Sequence, residues 1–120
     1  MSKQSDQVYD ILKIIFPYSH IEKEYYVKYK NTRLFFDFYI KQLALLFEIQ
    51  GMQHFVFNRH MHGNDPANFN AQKKRDNLKL MYLEDNPKLT LVFFNYDDII
   101  TEELVLQRIL EAQNKEPICP

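Results

Sequence analysis

The stretch FFDFYIKQLALLFEIQGMQH, from Phe35 to His54, decides the fold of this chain. Its first part completes a predicted strand over Thr32 to Ile40, because apolar and polar residues alternate there as they do in a half-buried strand. The apolar side chains of that strand are expected on one face: Leu34, Phe36, Phe38 and Ile40. Leu43 to Gln50 is apolar on both faces at its start, which predicts a central buried strand. Gly51 ends it.

Two carboxylates interrupt these apolar strands. Asp37 lies among aromatic residues, and Glu48 and Gln50 lie two apart on the next strand, so they share a face. A carboxylate in such surroundings is costly unless a cation or a polar partner compensates it. Two acids on adjacent strands repel each other, and a divalent cation removes that repulsion. The pattern therefore predicts a Mg²⁺ or Mn²⁺ site at Asp37 and Glu48.

The flanking sequence supplies the other elements of an α/β fold. We predict an N-terminal helix from about Ser5 to Phe16, capped by Ser5 or Asp6 and stopped by Pro17. The remaining expected elements are a strand from His20 to Lys30, a turn at Lys30-Asn31, a long loop from Phe55 to Phe69, a helix from Phe69 to Leu83, a strand from Lys88 to Tyr96, and a helix from Thr101 to Gln113 with Thr101 as its cap. The order α-β-β-β-α-β-α indicates an α+β fold with a mixed sheet.

Composition is consistent with one folded domain over residues 1–120, with a core at about 5–112 and a short flexible tail at 113–120. Of the 120 residues, 46% are hydrophobic and 15% aromatic, which excludes a disordered chain. The single Cys119 excludes a disulfide framework or a Cys-based zinc site and fits a reducing cytoplasm. The polar segment Met1 to Gln7 does not resemble a secretory signal, and no apolar run is long enough to cross a bilayer.

The formal net charge is −1, whereas a nucleic-acid-binding domain usually carries an excess of basic residues. The basic residues are grouped, however. One group flanks the first predicted hairpin and a second lies on the helix after the loop: Lys23, Lys28, Lys30 and Arg33, then Lys73, Lys74, Arg75 and Lys79. Carboxylates that hold metal lower the net charge without weakening such surfaces.

The Asp37, Glu48 and Gln50 pattern resembles the PD-(D/E)XK nucleases. In that superfamily an Asp and a Glu on neighbouring strands bind metal, and a residue two positions after the Glu, usually Lys, positions the attacking water. Gln50 stands at that position here. The resemblance implies a restriction-endonuclease-like core with Asp37 and Glu48 as metal ligands.

The chain also resembles the very-short-patch-repair-like branch of these nucleases, over roughly residues 5–112. The matching motifs occur in the same order: Asp37-Phe38, Glu48-Ile49-Gln50-Gly51-Met52-Gln53-His54, Arg75-Asp76 and Asn95-Tyr96-Asp97-Asp98. The resemblance implies an N-terminal acid at Asp6 (Gln7 or Asp10 being alternatives), an acid/base or phosphate-contact role for His54, and a supporting carboxylate at Asp76. The expected DNA contacts are Lys73, Lys74, Arg75, Arg59, Lys30 and Arg33.

The function implied is that of a Mg²⁺- or Mn²⁺-dependent DNA endonuclease of phage or bacterial origin, acting in the cytoplasm, or in the host cytoplasm if phage-encoded. It would nick one strand as a monomer and cut both strands, or a junction, only as a homodimer. RNA is an alternative substrate for the same chemistry. A catalytically inactive nuclease-fold module that binds DNA or a host protein is the rival interpretation.

Simpler roles remain open for single residues. Asp37 could pair with Arg33 or a Lys across the hairpin, Glu48 and Gln50 could line a solvated strand end, and His54 could be structural. His54, His60 and His62 have the spacing H-x5-H-x-H, which matches no usual structural-zinc pattern. We therefore expect these histidines in a loop near DNA.

Overall fold

The computed structural model describes residues 3–49 and 66–114, with side chains from residue 74 onward in the second range. The described elements are helix α1 (Lys3–Ile15), strands β1 (Glu22–Tyr29), β2 (Thr32–Ile40) and β3 (Leu45–Ile49), helix α2 (Pro66–Asp85), strand β4 (Thr90–Phe94) and helix α3 (Glu102–Gln113). A short 3-10 turn, Lys41–Leu43, joins β2 to β3. The predicted order of elements is confirmed, as is an α+β domain built on a mixed sheet.

The four strands form one sheet in the order β1-β2-β3-β4. β1 and β2 are antiparallel, as are β2 and β3, whereas β3 and β4 are parallel. Parallel neighbours need a crossover connection, and α2 lies in the connection between β3 and β4. The strand with Glu48 is therefore central, with Asp37 on the strand beside it.

Helices cover both faces of the sheet. On one face, α1 and α3 pack against a core that includes Val8, Phe38, Phe47, Val92 and Val105. On the other face, α2 packs against a second cluster that includes the following side chains: Leu34, Phe36, Leu46, Leu78, Tyr82 and Leu83. The β2–α2 contact brings the α2 side chains over the face that bears Glu48.

The alternation along β2 changes part-way, which corrects the expectation of one shared apolar face. Leu34 and Phe36 pack on the α2 side, but Phe38 and Ile40 pack on the α1 and α3 side. The change coincides with Glu24 of β1, which lies between the pairs Lys23–Phe38 and Tyr25–Phe36 and has a positive φ of 51°. A non-glycine residue in that region interrupts the regular extended backbone.

Two predicted boundaries were wrong. α1 begins at Lys3, so Ser5 and Asp6 lie inside its first turn and neither is the N-cap; Ser5 is buried instead. α2 begins at Pro66, so the end of the predicted loop is helical, since a proline in the first helical turn lacks only an N–H that has no partner there. The rest of that loop lies outside the described residues, as does the predicted tail beyond residue 114.

Two local predictions are confirmed. Lys30 and Asn31 both have positive φ, 48° and 61°, as the tight turn of a two-residue hairpin requires. Thr101 caps α3, because its side chain accepts a hydrogen bond from the Leu104 N–H at 3.1 Å. In the described ranges, no helix combines the length and apolar character needed to span a bilayer.

Candidate functional site: carboxylates between the sheet and helix α2

Asp37 and Glu48 face each other across two antiparallel strands. The ladder pairs Phe38 with Phe47, so the next position places Asp37 opposite Glu48. Oδ2 of Asp37 accepts a hydrogen bond from the N–H of Ile49, the residue after Glu48, at 2.7 Å. Opposed residues of an antiparallel pair share a face and lie close together. The structure thus brings the two predicted metal ligands to one place.

Glu48 forms an ion pair with Lys79 of α2. Its Oε2 lies 2.9 Å from the Lys79 Nζ, and the exposed fractions of the two side chains are 7% and 15%. The same Nζ lies 5.1 Å from the centroid of the Phe36 ring. Because both charges are largely removed from water, each depends on the other for compensation.

Burial raises the pKa of Glu48 to about 7, against an ordinary value of 4.5. The Lys79 charge and hydrogen bond oppose this shift, while the charges of Asp37 and Asp76 reinforce it. The pKa of Asp37 is also raised, chiefly by burial, against the hydrogen bond from Ile49 and the charge of Lys79. Ionising both acids is therefore unfavourable without a further cation.

Asp76 is the third carboxylate of this site. It lies on α2 one helical turn before Lys79, is only 5% exposed, and affects the pKa of Glu48 through its charge. The Lys79 charge lowers the pKa of both Asp37 and Glu48, and the Asp76 charge raises that of Glu48. We call these four residues the carboxylate site.

The donors of the carboxylate site can be compared with the needs of a metal ion. Among the described residues, no group of three or more His, Cys, Asp or Glu side chains is arranged to hold a metal. Mg²⁺ does not require such a cage, since it is often bound by one or two carboxylates together with waters and phosphate oxygens. Asp37 and Glu48 fit that requirement. The Ile49 N–H binds Oδ2 of Asp37, and the Lys79 ammonium binds Oε2 of Glu48.

Phe93 extends the row of side chains onto the edge strand. It is the register partner of Glu48 on β4, so Asp37, Glu48 and Phe93 lie side by side on three adjacent strands. Phe93 is 40% exposed, and its carbonyl accepts a hydrogen bond from Arg108 at 3.2 Å. The row leads from partly buried Asp37 through buried Glu48 to an exposed aromatic ring at the edge of the sheet.

The other predicted site residues are not gathered at this point. Asp6 is exposed on α1, which packs against the opposite face of the sheet. Lys74 and Arg75 are exposed on α2, and Lys30 and Arg33 are exposed on the hairpin. Four predicted residues cannot be placed, because the backbone or side chain lies outside the described part of the chain: Gln50, His54, Arg59 and Lys73. Their roles stay predictions.

The Asn95-Tyr96-Asp97-Asp98 motif forms a structural turn. Oδ2 of Asp98 accepts the Asn95 N–H at 2.7 Å, and both carboxylate oxygens of Asp98 bind Arg108 of α3, at 2.9 and 3.1 Å. From α1, the Gln4 side chain donates to the carbonyls of Asn95, Tyr96 and Asp98 at 2.9–3.2 Å. The turn therefore ties α1, β4 and α3 together.

Lys79 is the residue of the carboxylate site that the sequence interpretation missed. The sequence groups it with the basic residues of α2 that are expected to face phosphate. The sequence does indicate the position of Lys79 on the helix. Three- and four-residue steps place it on one side of α2 with Asp76, Tyr82 and Leu83. A lysine within such a row is expected near the core and needs an acidic partner there.

No protein-family model, curated protein or solved structure matches this chain. The function therefore has to be inferred from the carboxylate site and from the sequence motifs around it.

Proposed function

We propose that this chain is a divalent-metal-dependent DNA endonuclease of the PD-(D/E)XK type. The observation that carries the proposal is the pair of acids on adjacent strands, partly buried Asp37 and buried Glu48, with Lys79 against Glu48. The order of elements and the mixed four-stranded sheet are compatible with a restriction-endonuclease-like core. The ordered motifs from Asp37 to Asp98 point to the very-short-patch-repair-like branch.

In this proposal Asp37 and Glu48 hold Mg²⁺ or Mn²⁺. A bound divalent cation polarises a phosphodiester and lowers the pKa of a coordinated water. The hydrogen bond from the Ile49 N–H fixes the orientation of the Asp37 carboxylate, and the ladder that ends at the neighbouring Phe38–Phe47 pair holds the two strands together beside it. Asp76 adds negative charge beside Glu48 and so favours occupation of the site by a cation.

Lys79 is proposed to supply the positive charge that Gln50 does not provide. A glutamine side chain is neutral, whereas the Lys79 ammonium already lies within the carboxylate site. An ammonium held in this way stabilises a phosphate on which negative charge develops. Arg75 precedes Lys79 by one helical turn and is exposed, which suits contact with a phosphate at the surface.

The remaining proposed roles come from sequence alone. His54 would protonate the leaving oxygen, since an imidazole titrates near neutral pH. Gln50 would hold the attacking water. A single domain carrying one such site cuts one strand, so double-strand cutting would require two copies of the chain.

A second candidate is a nuclease-fold module that binds DNA or a host protein without cutting. The ion pair between Glu48 and Lys79 favours it, because that contact compensates Glu48 in the absence of a metal. The two candidates differ in their response to Mg²⁺ or Mn²⁺. A metal-binding enzyme is stabilised against heat by site occupancy, whereas a module that binds no metal is not.

Cleavage of supercoiled plasmid tests the proposal. Wild-type protein with Mg²⁺ or Mn²⁺ is expected to yield nicked or linear DNA, and the Asp37→Ala/Glu48→Ala variant to leave the plasmid intact. An Asp97→Asn variant, altered at an exposed acid of the Asn95–Asp98 turn, serves as the matched control and should cut normally. Equal cleavage by wild type and the double variant would refute the assignment of the site. Plasmid left intact by all three proteins, together with no stabilisation by metal, would favour the non-cutting module.

A further inference from the structure

The β1–β2 hairpin displays two large aromatic rings to solvent. Tyr26 and Phe35 are register partners on the antiparallel strands, and their ring centroids lie 5.8 Å apart. They are 55% and 52% exposed. Covering rings of this size is favourable, because it removes apolar surface from water. The pair forms an apolar surface that the described fold leaves open.

The fold does not need these rings on this face. The alternate side chains of the same strands, Tyr25, Val27, Tyr29, Leu34 and Phe36, pack on the α2 side of the sheet. Because side chains alternate along a strand, Tyr26 and Phe35 lie on the opposite face. The hairpin is therefore anchored by one face while the other remains available for a partner.

Two basic side chains accompany the rings. Lys28 and Arg33 are register partners one pair further along the hairpin, and both are exposed. The Arg33 guanidinium carbon lies 5.6 Å from the centroid of the Tyr26 ring. Like charges placed directly opposite each other on two strands are destabilising, and a bound anion would relieve that repulsion. We call Tyr26, Lys28, Arg33 and Phe35 the hairpin platform.

We propose that the hairpin platform binds single-stranded nucleic acid. Unpaired bases would stack on Tyr26 and Phe35, while Lys28 and Arg33 contact the backbone phosphates. A duplex hides the faces of its bases and would engage only the two cations. An acidic peptide would likewise use the cations and leave the rings without a role, so the combination favours a flexible polyanion with flat apolar groups.

The hairpin platform lies on the sheet face opposite α2, whereas the carboxylate site lies beneath α2. Binding at the platform is therefore separate from the proposed cleavage and needs no metal. For a nuclease, such a surface would favour substrates with an unpaired segment, such as a displaced strand, a branch or a loop.

Fluorescence anisotropy with labelled oligothymidine, oligouridine and a duplex of equal length, all in EDTA, tests this inference. Wild-type protein should prefer one or both single strands to the duplex. The Tyr26→Ala/Phe35→Ala variant should lose about 10-fold or more in single-strand affinity, as expected when stacking partners are removed. The Lys28→Gln/Arg33→Gln variant should bind more weakly and with a shallower salt dependence.

Matched variants separate the platform from general effects. Tyr18→Ala removes a tyrosine that is 96% exposed elsewhere and should bind like wild type. Tyr26→Phe/Phe35→Tyr keeps both rings and should retain affinity. Asp37→Ala/Glu48→Ala should also bind normally, so loss of the proposed cleavage does not affect this measurement. The inference is overturned if wild type shows no preference for single strands, if the ring variant binds as tightly as wild type, or if poly-glutamate displaces the oligonucleotides at equal concentration of charge.

Discussion

The Lys79 ammonium lies 2.9 Å from Oε2 of Glu48, in a position where both side chains are largely excluded from water. This contact joins α2 to the central strand of the sheet across 31 positions of sequence. It lowers a pKa that burial, Asp37 and Asp76 all raise. Lys79 therefore influences the ionisation state of Glu48 as well as its position.

Replacing Lys79 by Met should lower the cleavage rate by about 100-fold at neutral pH, because a preorganised positive charge is lost from the site. The pKa of Glu48 should rise further, which moves the ascending limb of the pH–rate profile to higher pH. Lys74→Met, on the same helix but exposed, is the control and should change the rate little. An unshifted profile with an unchanged rate in Lys79→Met would show that Lys79 has no part in the chemistry.

The stability of the metal-free protein should fall as pH rises from about 4.5 to about 7. The pKa of Glu48 is raised on folding, so the native state binds its proton more tightly than the unfolded state across that interval. The shift corresponds to about 3 kcal/mol in the free energy of unfolding. Glu48→Gln keeps the shape but does not titrate, and should flatten this part of the dependence. Urea unfolding across the interval measures it, and identical slopes for wild type and Glu48→Gln would contradict the assignment.

The Asp98–Arg108 pair should matter for stability and not for cleavage. Burial alone would raise the pKa of Asp98, but the hydrogen bonds from Arg108 and from the Asn95 N–H hold it below its ordinary value. Asp98→Asn should cost about 1–3 kcal/mol in the free energy of unfolding at neutral pH. The difference from wild type should diminish as pH falls through the native pKa, because wild type then also loses the ion pair.

Asp97→Asn is the control for that measurement, since Asp97 is the exposed neighbour in the same turn. Its free energy of unfolding should stay within about 0.5 kcal/mol of wild type. A large fall in the cleavage rate of folded Asp98→Asn protein would instead place the turn in the catalytic machinery.

The N-terminal acid can be identified by comparing two exposed carboxylates of α1. The role of Asp6 rests on the sequence resemblance alone, because α1 packs on the sheet face opposite the carboxylate site. On that assignment Asp6→Asn should reduce metal-dependent cleavage by about 10-fold, and Asp10→Asn should leave it near the wild-type rate. Thermal unfolding of both variants should match wild type, since neither side chain is buried. Loss of activity in Asp10→Asn alone would transfer the role to Asp10, and normal activity in both would remove α1 from the site.

Features governed by neighbouring residues were predictable from the sequence. The turn at Lys30-Asn31 follows from Asn31, because asparagine tolerates positive φ. The Thr101 cap follows from its position before an amphipathic segment. The approach of Asp37 to Glu48 was also accessible, because a short connection joins their strands and limits the possible registers.

Features that depend on packing between distant segments were not predictable in the same way. Local spacing places Lys79 on the inner side of α2, but its pairing with Glu48 depends on how that helix crosses the sheet. The division of Phe36 and Phe38 between two cores depends on a backbone irregularity near Glu24, which alternation of residue types does not encode. The three carbonyls bound by Gln4 lie more than 90 residues away in sequence.

The central claim is that Asp37 and Glu48 together hold a divalent cation, and calorimetric titration with Mn²⁺ tests it most directly. At about pH 7, wild-type protein should bind Mn²⁺ with release of protons, because the raised pKa of Glu48 leaves part of the carboxylate protonated before the metal enters. Asp37→Asn/Glu48→Gln, confirmed as folded by its unfolding transition, should show no such binding. Absence of binding by wild type, or equal binding by the double variant, would contradict the claim.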